Sequence, residues 1–205
     1  MKTEIISTKY QSAIPHGVDV IQRNGLVAFP TDTVYGLATS AFNTASIERL
    51  FIIKGRNQSK AIALLLSNMD QLEQVATEIS NKAKDLANNF WPGPLTLVLS
   101  RHPSLPDNLS NRPTIGIRIP NHPVALALIN ETGPLAVTSA NLSGQKSPST
   151  ANEVYEQLNQ KIHLIIDGGT TSGGVPSTVV DCITNDIKLL REGPIPFVKI
   201  QSAIT

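Results

Sequence analysis

Aromatic residues are scarce in this 205-residue chain, at 4%, so a stacking platform for single-stranded nucleic acid is not its main business. Charge is scarce in either excess. Seventeen Lys and Arg against sixteen Asp and Glu leave +1, which excludes the broad basic face of a duplex-wrapping protein. Cysteine is nearly absent. The single Cys182 rules out an internal disulfide and any Cys-based zinc site, and fits a reducing compartment. The longest unbroken apolar runs, 61–66 and 124–129, fall far short of the ~20 residues a membrane helix requires. The start, Met1-Lys2-Thr3-Glu4, is too polar for a secretory signal. The expectation is a soluble cytoplasmic protein with no membrane association. Also missing are the Gly-rich phosphate loops, His-Glu-x-x-His and the Gly-x-Ser-x-Gly elbow, and with them the commonest nucleotide, zinc-protease and hydrolase sites. The four histidines (His16, His102, His122, His163) are scattered and read as surface or capping residues.

What is present is globular. Hydrophobic residues reach 40% and charged residues 16%, and no linker, repeat or charge block divides the chain, so one domain over 1–205 is expected. A helix runs through Ile14, Val18 and Ile21 and ends at Gly25; others are predicted at 44–54, 123–131 and 151–158, with one or two inside 70–90. Strands are predicted at 26–29, 62–66, 95–99, 114–119, 135–138, 163–166, 178–183 and 187–190, with a proline-rich connection at 102–113. Such mixing predicts an α/β fold, a twisted mixed parallel and antiparallel sheet flanked by helices. The last three strands have no helix between them, so part of the sheet should be antiparallel.

Six polar segments sit where structure alone would not choose them. Thr31 and Thr33 follow a buried strand, and open α/β sheets bind ligands at the carboxyl ends of strands; a turn with a helix cap explains them equally well. Lys54, Arg56 and Lys60 either neutralise a helix dipole or hold phosphate on a sheet rim. In 114–119, period two places Ile115, Ile117 and Ile119 on one face, and Thr114, Gly116 and Arg118 on the other. A buried Arg118 requires an anion, either a carboxylate of the chain or a ligand's, with Gly116 leaving room beside it. Thr138-Ser139-Ala140-Asn141-Leu142-Ser143-Gly144, continuing to Ser147, reads as a polar cradle or as turn chemistry. The glycines after Asp167 and around Gly173 could form an anion-holding nest ahead of Ser177. Arg191 closes an apolar strand.

Taken together, Thr-Asp-Thr-Val-Tyr-Gly-Leu, Lys-Gly-Arg, Trp-Pro-Gly-Pro-Leu-Thr, Gly-Ile-Arg-Ile-Pro, Ser-Ala-Asn-Leu-Ser-Gly, Pro-Ser-Thr-Val-Val-Asp and Leu-Arg-Glu-Gly resemble the YrdC family in order and spacing over about residues 10–195. The resemblance implies a single YrdC-like catalytic domain, the form without an extra C-terminal domain. It implies an L-threonylcarbamoyladenylate synthase, a nucleotidyltransferase that makes threonylcarbamoyl-AMP and pyrophosphate from L-threonine, bicarbonate and ATP. A partner complex would then modify the adenosine beside the tRNA anticodon. Residue by residue, it implies that Lys54 and Arg56 are catalytic. Thr31, Thr33, Arg118, Val137 and Ser177 would bind threonine. Arg56, Lys60, Thr114, Ser139, Asn141, Ser147 and Arg191 would bind ATP. Mg²⁺ would arrive with ATP, without a protein cage of its own. The chain departs from the family pattern at 57–62 and carries Leu65 where some members have His. Two rival readings stay open: a tRNA or double-stranded RNA binding module without chemistry, and a carbamoyl-transfer domain.

Overall fold

The computed structural model describes residues 2–172, 174–184 and 186–204. In chain order the elements are β1 (Glu4–Ser7), α1 (Ala13–Gln22), β2 (Val27–Phe29), β3 (Gly36–Ser40), α2 (Thr44–Lys54), β4 (Ala63–Leu65), β5 (Ala76–Thr77), α3 (Asn81–Phe90), β6 (Leu95–Arg101), β7 (Thr114–Arg118), α4 (Pro123–Thr132), β8 (Leu135–Ser139), α5 (Ala151–Leu158), β9 (Leu164–Asp167), β10 (Thr178–Asp181), β11 (Lys188–Arg191) and α6 (Phe197–Ser202). All strands join one sheet in the order β1-β9-β2-β3-β8-β4-β7-β6-β10-β11, with β5 beside β6. It is mixed. β9 lies parallel to β1 and β2, β4 to β7, and β6 to β10, while the other pairs are antiparallel.

The expected mixed sheet is therefore found, and the late strands contribute one antiparallel pair to it rather than three neighbours. β9 and β10 lie in opposite halves of the sheet, because the glycine-rich connection crosses over rather than turning back. Only β10 and β11 form an antiparallel pair among the last three. Three strands escaped the sequence reading, the two-residue β5 (Ala76–Thr77) inside the 70–90 stretch among them. β1 is a short edge strand, and β3, Gly-Leu-Ala-Thr-Ser, has no β-branched run but is paired on both sides. The 70–90 stretch holds one α-helix, α3, after a 3₁₀ turn at Met69–Gln74.

Local chemistry explains the helix ends. Asn43 caps α2 by accepting from Ser46 N at 2.8 Å, and Gly55 ends it in the left-handed region at φ 58°, where an L side chain is strained. A reciprocal Thr150–Glu153 capping box starts α5.

The two sheet faces differ. One buries Leu37, Leu64, Leu97, Ile115, Ile117 and Ala136 against α2, α3 and α5, each fully buried large side chain contributing about 1.5–3 kcal/mol. The opposite face buries Phe29, Ala38, Leu65, Val137 and Ile166 against α1 and α4. That second layer covers the strands from β9 to β4. Beyond it, the same face presents Gly116, Arg118, Thr96, Val98 and Val179 to a cavity. Among the described residues, no helix is long and apolar enough to cross a membrane.

Candidate active site

The cavity has a volume of about 340 Å³ and lies on the sheet face, not beyond the carboxyl ends of the strands. Its floor is Ala63 and Leu65 of β4, Thr96 and Val98 of β6, Gly116 and Arg118 of β7, and Val137 and Ser139 of β8. Thr31, Thr33, Arg56, Ser177 and Arg191 complete the wall. Small side chains make the hollow. A Cβ on Gly116 would stand 3.1 Å from Thr96 Cγ2 and 3.7 Å from Ala63 Cβ, so the glycine keeps the floor open.

The Thr31 hydroxyl donates to Val34 O at 2.7 Å and accepts from Thr33 N at 3.1 Å. Its one proton is thus committed, so in the 3.0 Å contact between the two hydroxyls Thr33 is the donor. Thr33 Oγ1 in turn accepts from Arg118 Nη1 at 3.0 Å. Thr31 is a turn residue that aims Thr33, and Thr33 is aimed by both neighbours.

Arg118 is 5% exposed. Its Nε donates to Gly93 O at 2.9 Å, and its Nη2 forms an ion pair with Asp32 Oδ1, which also accepts from Asn121 N at 3.1 Å. The anion that a buried Arg118 requires is therefore within the chain. Burial pushes the guanidinium below its ordinary range; Asp32 opposes this and Arg191 adds to it. The remaining hydrogens of Nη1 and Nη2 are left for a ligand in the cavity that Arg118 lines.

The opposite wall is a second chain of contacts. Arg191 donates to Ser177 O from Nε at 3.0 Å and from Nη2 at 2.8 Å, and Nη2 reaches Ser177 Oγ at 3.1 Å. Ser177 Oγ lies 2.7 Å from Thr96 Oγ1. Thr96 lies in the Trp-Pro-Gly-Pro-Leu-Thr motif without a role in the sequence reading; its alternation with the core-facing Leu95 and Leu97 is the signal that marks it. Tyr35 was missed too. Its hydroxyl donates to Gly169 O at 2.7 Å and accepts from Gly168 N at 3.3 Å, and burial pushes its pKa up to about 12. Among the described glycines of the expected nest, the N–H groups of Gly168, Gly169 and Gly174 are taken within the chain. Gly169 N donates to Asp167 Oδ1 at 2.9 Å and Gly174 N to Thr33 O at 2.9 Å, while Gly173 lies outside the described residues.

The cations separate. Arg56 lines the cavity and donates to Lys60 O at 3.1 Å and Ala61 O at 2.8 Å, which holds the connection to β4. Lys54 does not line the cavity. Its buried ammonium turns away and donates to Ser139 O, Asn141 O and Asn141 Oδ1. The expected catalytic Lys54 is thus placed apart from the cavity-facing Arg56, with oxygens of Ser139 and Asn141 as its partners. Asn141 likewise ties that loop together through Leu142 O at 2.9 Å and Gln145 O at 2.6 Å. Lys60 is exposed, and Thr114, Asn141 and Ser147 also stand outside the cavity wall. Val137, Ser139, Ser177 and Arg191 stand within it. Among the described residues, no group of three or more His, Cys, Asp and Glu could hold a metal ion.

Burial, with Arg56 nearby, pushes Lys54 from 10.5 down to about 7. Between about pH 7 and 9 the unfolded chain then binds the Lys54 proton more tightly than the folded chain. Stability should rise with pH by about 1 kcal/mol per unit over that window. Cys182, pushed up to about 12 from 9.0, works in the opposite sense from about pH 8 upward. Denaturant titrations of wild type and Lys54→Met check this: the slope should be lower in the variant by about 1 kcal/mol per unit, and an equal slope in both would refute it.

The Sua5/YciO/YrdC family, described as "Telomere recombination", matches residues 19–193. The chain belongs to the Sua5/YciO/YrdC family. A threonylcarbamoyl-AMP synthase of Bacillus subtilis is 42% identical over 98% of this chain and 59% of its own length. One of Klebsiella pneumoniae is 31% identical over 88% of this chain and 96% of its own. The crystal structure of Pyrococcus abyssi Sua5 complexed with L-threonine superposes with a TM-score of 0.94 at 39% identity, covering 100% of this chain and 61% of that one. The chain thus spans about three-fifths of the Bacillus and Pyrococcus relatives. The mixed sheet flanked by helices is the fold this family shares.

Proposed function

We propose that this chain is an enzyme, a nucleotidyltransferase of the threonylcarbamoyl-AMP synthase type. Its substrates are L-threonine, bicarbonate and ATP, the last carrying Mg²⁺, and its products are threonylcarbamoyl-AMP and pyrophosphate. The setting is the cytoplasm. A tRNA-modifying complex consumes the product at the adenosine beside the anticodon. The observation that carries this reading is the convergence of three guanidinium groups, Arg56, Arg118 and Arg191, with the hydroxyls of Thr33, Thr96 and Ser177 on one cavity. Such a wall suits an anionic, polar reaction centre. The names of the relatives and the threonine carried by the Pyrococcus structure support the same choice.

In this reading the free N–H groups of Arg118 hold the threonine carboxylate, with Thr31 behind Thr33, and with Val137 and Ser177 beside the amino acid. Arg56 and Arg191 face the phosphates, and Ser139 the nucleotide. Lys60, Thr114, Asn141 and Ser147 serve ATP from beyond the cavity wall or through the loops they hold. The threonine amine adds to CO₂ derived from bicarbonate. A carbamate oxygen then attacks the α-phosphorus as the bond to pyrophosphate breaks. Charge builds on phosphate oxygens, so positioning and fixed cations supply the rate, and no base–nucleophile pair is required.

Pyrophosphate release from ATP tests the proposal. It should require both L-threonine and bicarbonate. Release indifferent to either would overturn it, and tight, steeply salt-dependent RNA binding without turnover would favour the RNA-binding module. Ser177→Ala should raise the KM for threonine two- to tenfold, an effect of about 0.5–1.5 kcal/mol, and the KM for ATP less. Steady-state kinetics with each substrate varied decide; equal changes would point to a disturbed loop.

A further inference from the structure

Thr96 lines the cavity and is as deeply buried as Ser177, each at 5% exposure. On β6 it stands one residue before Leu97, the partner of Ile117, and on β7 Arg118 stands one residue after Ile117. Thr96 and Arg118 thus share the cavity-facing side of adjacent strands. On its other side Thr96 pairs with Val179 of β10. Its Oγ1 lies 2.7 Å from Ser177 Oγ and, among the described residues, has no other hydrogen-bond partner. Ser177 Oγ also accepts an N–H from Arg191 Nη2 at 3.1 Å. A hydroxyl has one hydrogen and two lone pairs. Arg191 fills one lone pair of Ser177, and the contact with Thr96 takes either the other lone pair or the Ser177 hydrogen. In both arrangements one hydroxyl hydrogen of the pair is left over, without an acceptor among the described residues, on a wall that faces the cavity.

We infer that Thr96 is a further positioning residue of the amino-acid site: it restricts the Ser177 hydroxyl so that the pair, acting as one unit, donates a single hydrogen to an oxygen of the bound amino acid. The inference rests on the proposed threonine site. Guanidinium groups flank the pair, Arg191 at Ser177 and Arg118 on the neighbouring strand. They make this part of the wall electropositive, which favours an oxygen over an ammonium as the group received. Without Thr96 the Ser177 hydrogen is free to turn, and the ligand has to fix it on binding. With Thr96 the donor is set beforehand, which lowers the ordering cost of binding. The same dependence means that either hydroxyl alone is worth little.

A double-mutant cycle tests this, with steady-state KM for L-threonine and for ATP measured in wild type, Thr96→Val, Ser177→Ala and the double variant. Thr96→Val keeps the shape of the side chain and removes its hydroxyl. It should raise the KM for threonine about two- to tenfold and that for ATP less than about twofold. In the Ser177→Ala background the same substitution should add less than about twofold, because the unit is already broken. Thr96→Ser restores the hydroxyl and should stay within about twofold of wild type. Thr96→Ala, which also lacks the hydroxyl, must show the same coupling, so the test survives a Thr96→Val chain that fails to fold. Equal effects in both backgrounds would show that Thr96 merely packs, and would overturn the inference. So would an equal rise in both KM values, or no rise in either hydroxyl-free variant while Ser177→Ala has its expected effect. A Ser177→Ala variant with an unchanged KM for threonine would instead defeat the reading of Ser177 as part of the threonine site, and the inference with it.

Discussion

Arg118→Lys is expected to yield a folded chain whose affinity for L-threonine falls about ten- to a hundredfold, while ATP binding measured alone changes far less. The guanidinium touches Gly93 O, Thr33 Oγ1 and Asp32 Oδ1 at once and still lines the cavity. An ammonium can keep the ion pair with Asp32 but cannot span these partners and also offer two parallel hydrogen bonds to a carboxylate. A charge-assisted hydrogen bond is worth about 1.5–3 kcal/mol, which sets the size of the loss. Fold is read from the thermal midpoint and binding from calorimetry. A destabilised variant whose folded fraction binds threonine normally would make Arg118 a structural ion-pair residue only.

Arg56→Ala should reduce turnover by about a hundredfold or more, from loss of one phosphate contact plus its share of transition-state stabilisation. Arg56 does not serve the dipole of α2. The helix end is closed by Gly55 N to Ile52 O and Arg56 N to Phe51 O, and the side chain turns to Lys60 O and Ala61 O instead. Arg56→Gln separates the two duties, since it can retain a carbonyl contact without the charge. Both variants should lose turnover. Turnover and ATP affinity within twofold of wild type in Arg56→Gln would show that holding the 56–61 connection is the residue's whole contribution.

Much of the site was legible because strand periodicity is strict. Ile115 and Ile117 are buried at 1% and 0%, and Gly116 and Arg118 face the cavity, as alternation requires. The same alternation, applied to Leu95 to Leu99, sets Thr96 and Val98 on the face away from the core leucines. Pairing across the sheet was not legible. Nothing local in 31–33 says that Asp32 reaches Arg118, because the partners are brought together by the sheet order rather than by sequence spacing. Lys54 shows the converse limit. Its spacing to Arg56 marks a cationic rim, but at a helix end the two side chains diverge, one to the cavity and one to the carbonyls of the β8 loop. β3 was hidden because its strand character comes from two neighbours, not from propensity. The cavity was expected past the strand ends, whereas an uncovered sheet face floored by glycine and alanine provides it.

The most direct test is to supply the purified chain with ATP, L-threonine and ¹³C-bicarbonate and to determine the mass of the adenylate formed. The expected product is a threonine-containing AMP derivative carrying one ¹³C atom, formed together with pyrophosphate and absent when threonine is omitted. An unlabelled adenylate, or ADP and phosphate in place of AMP and pyrophosphate, would contradict it.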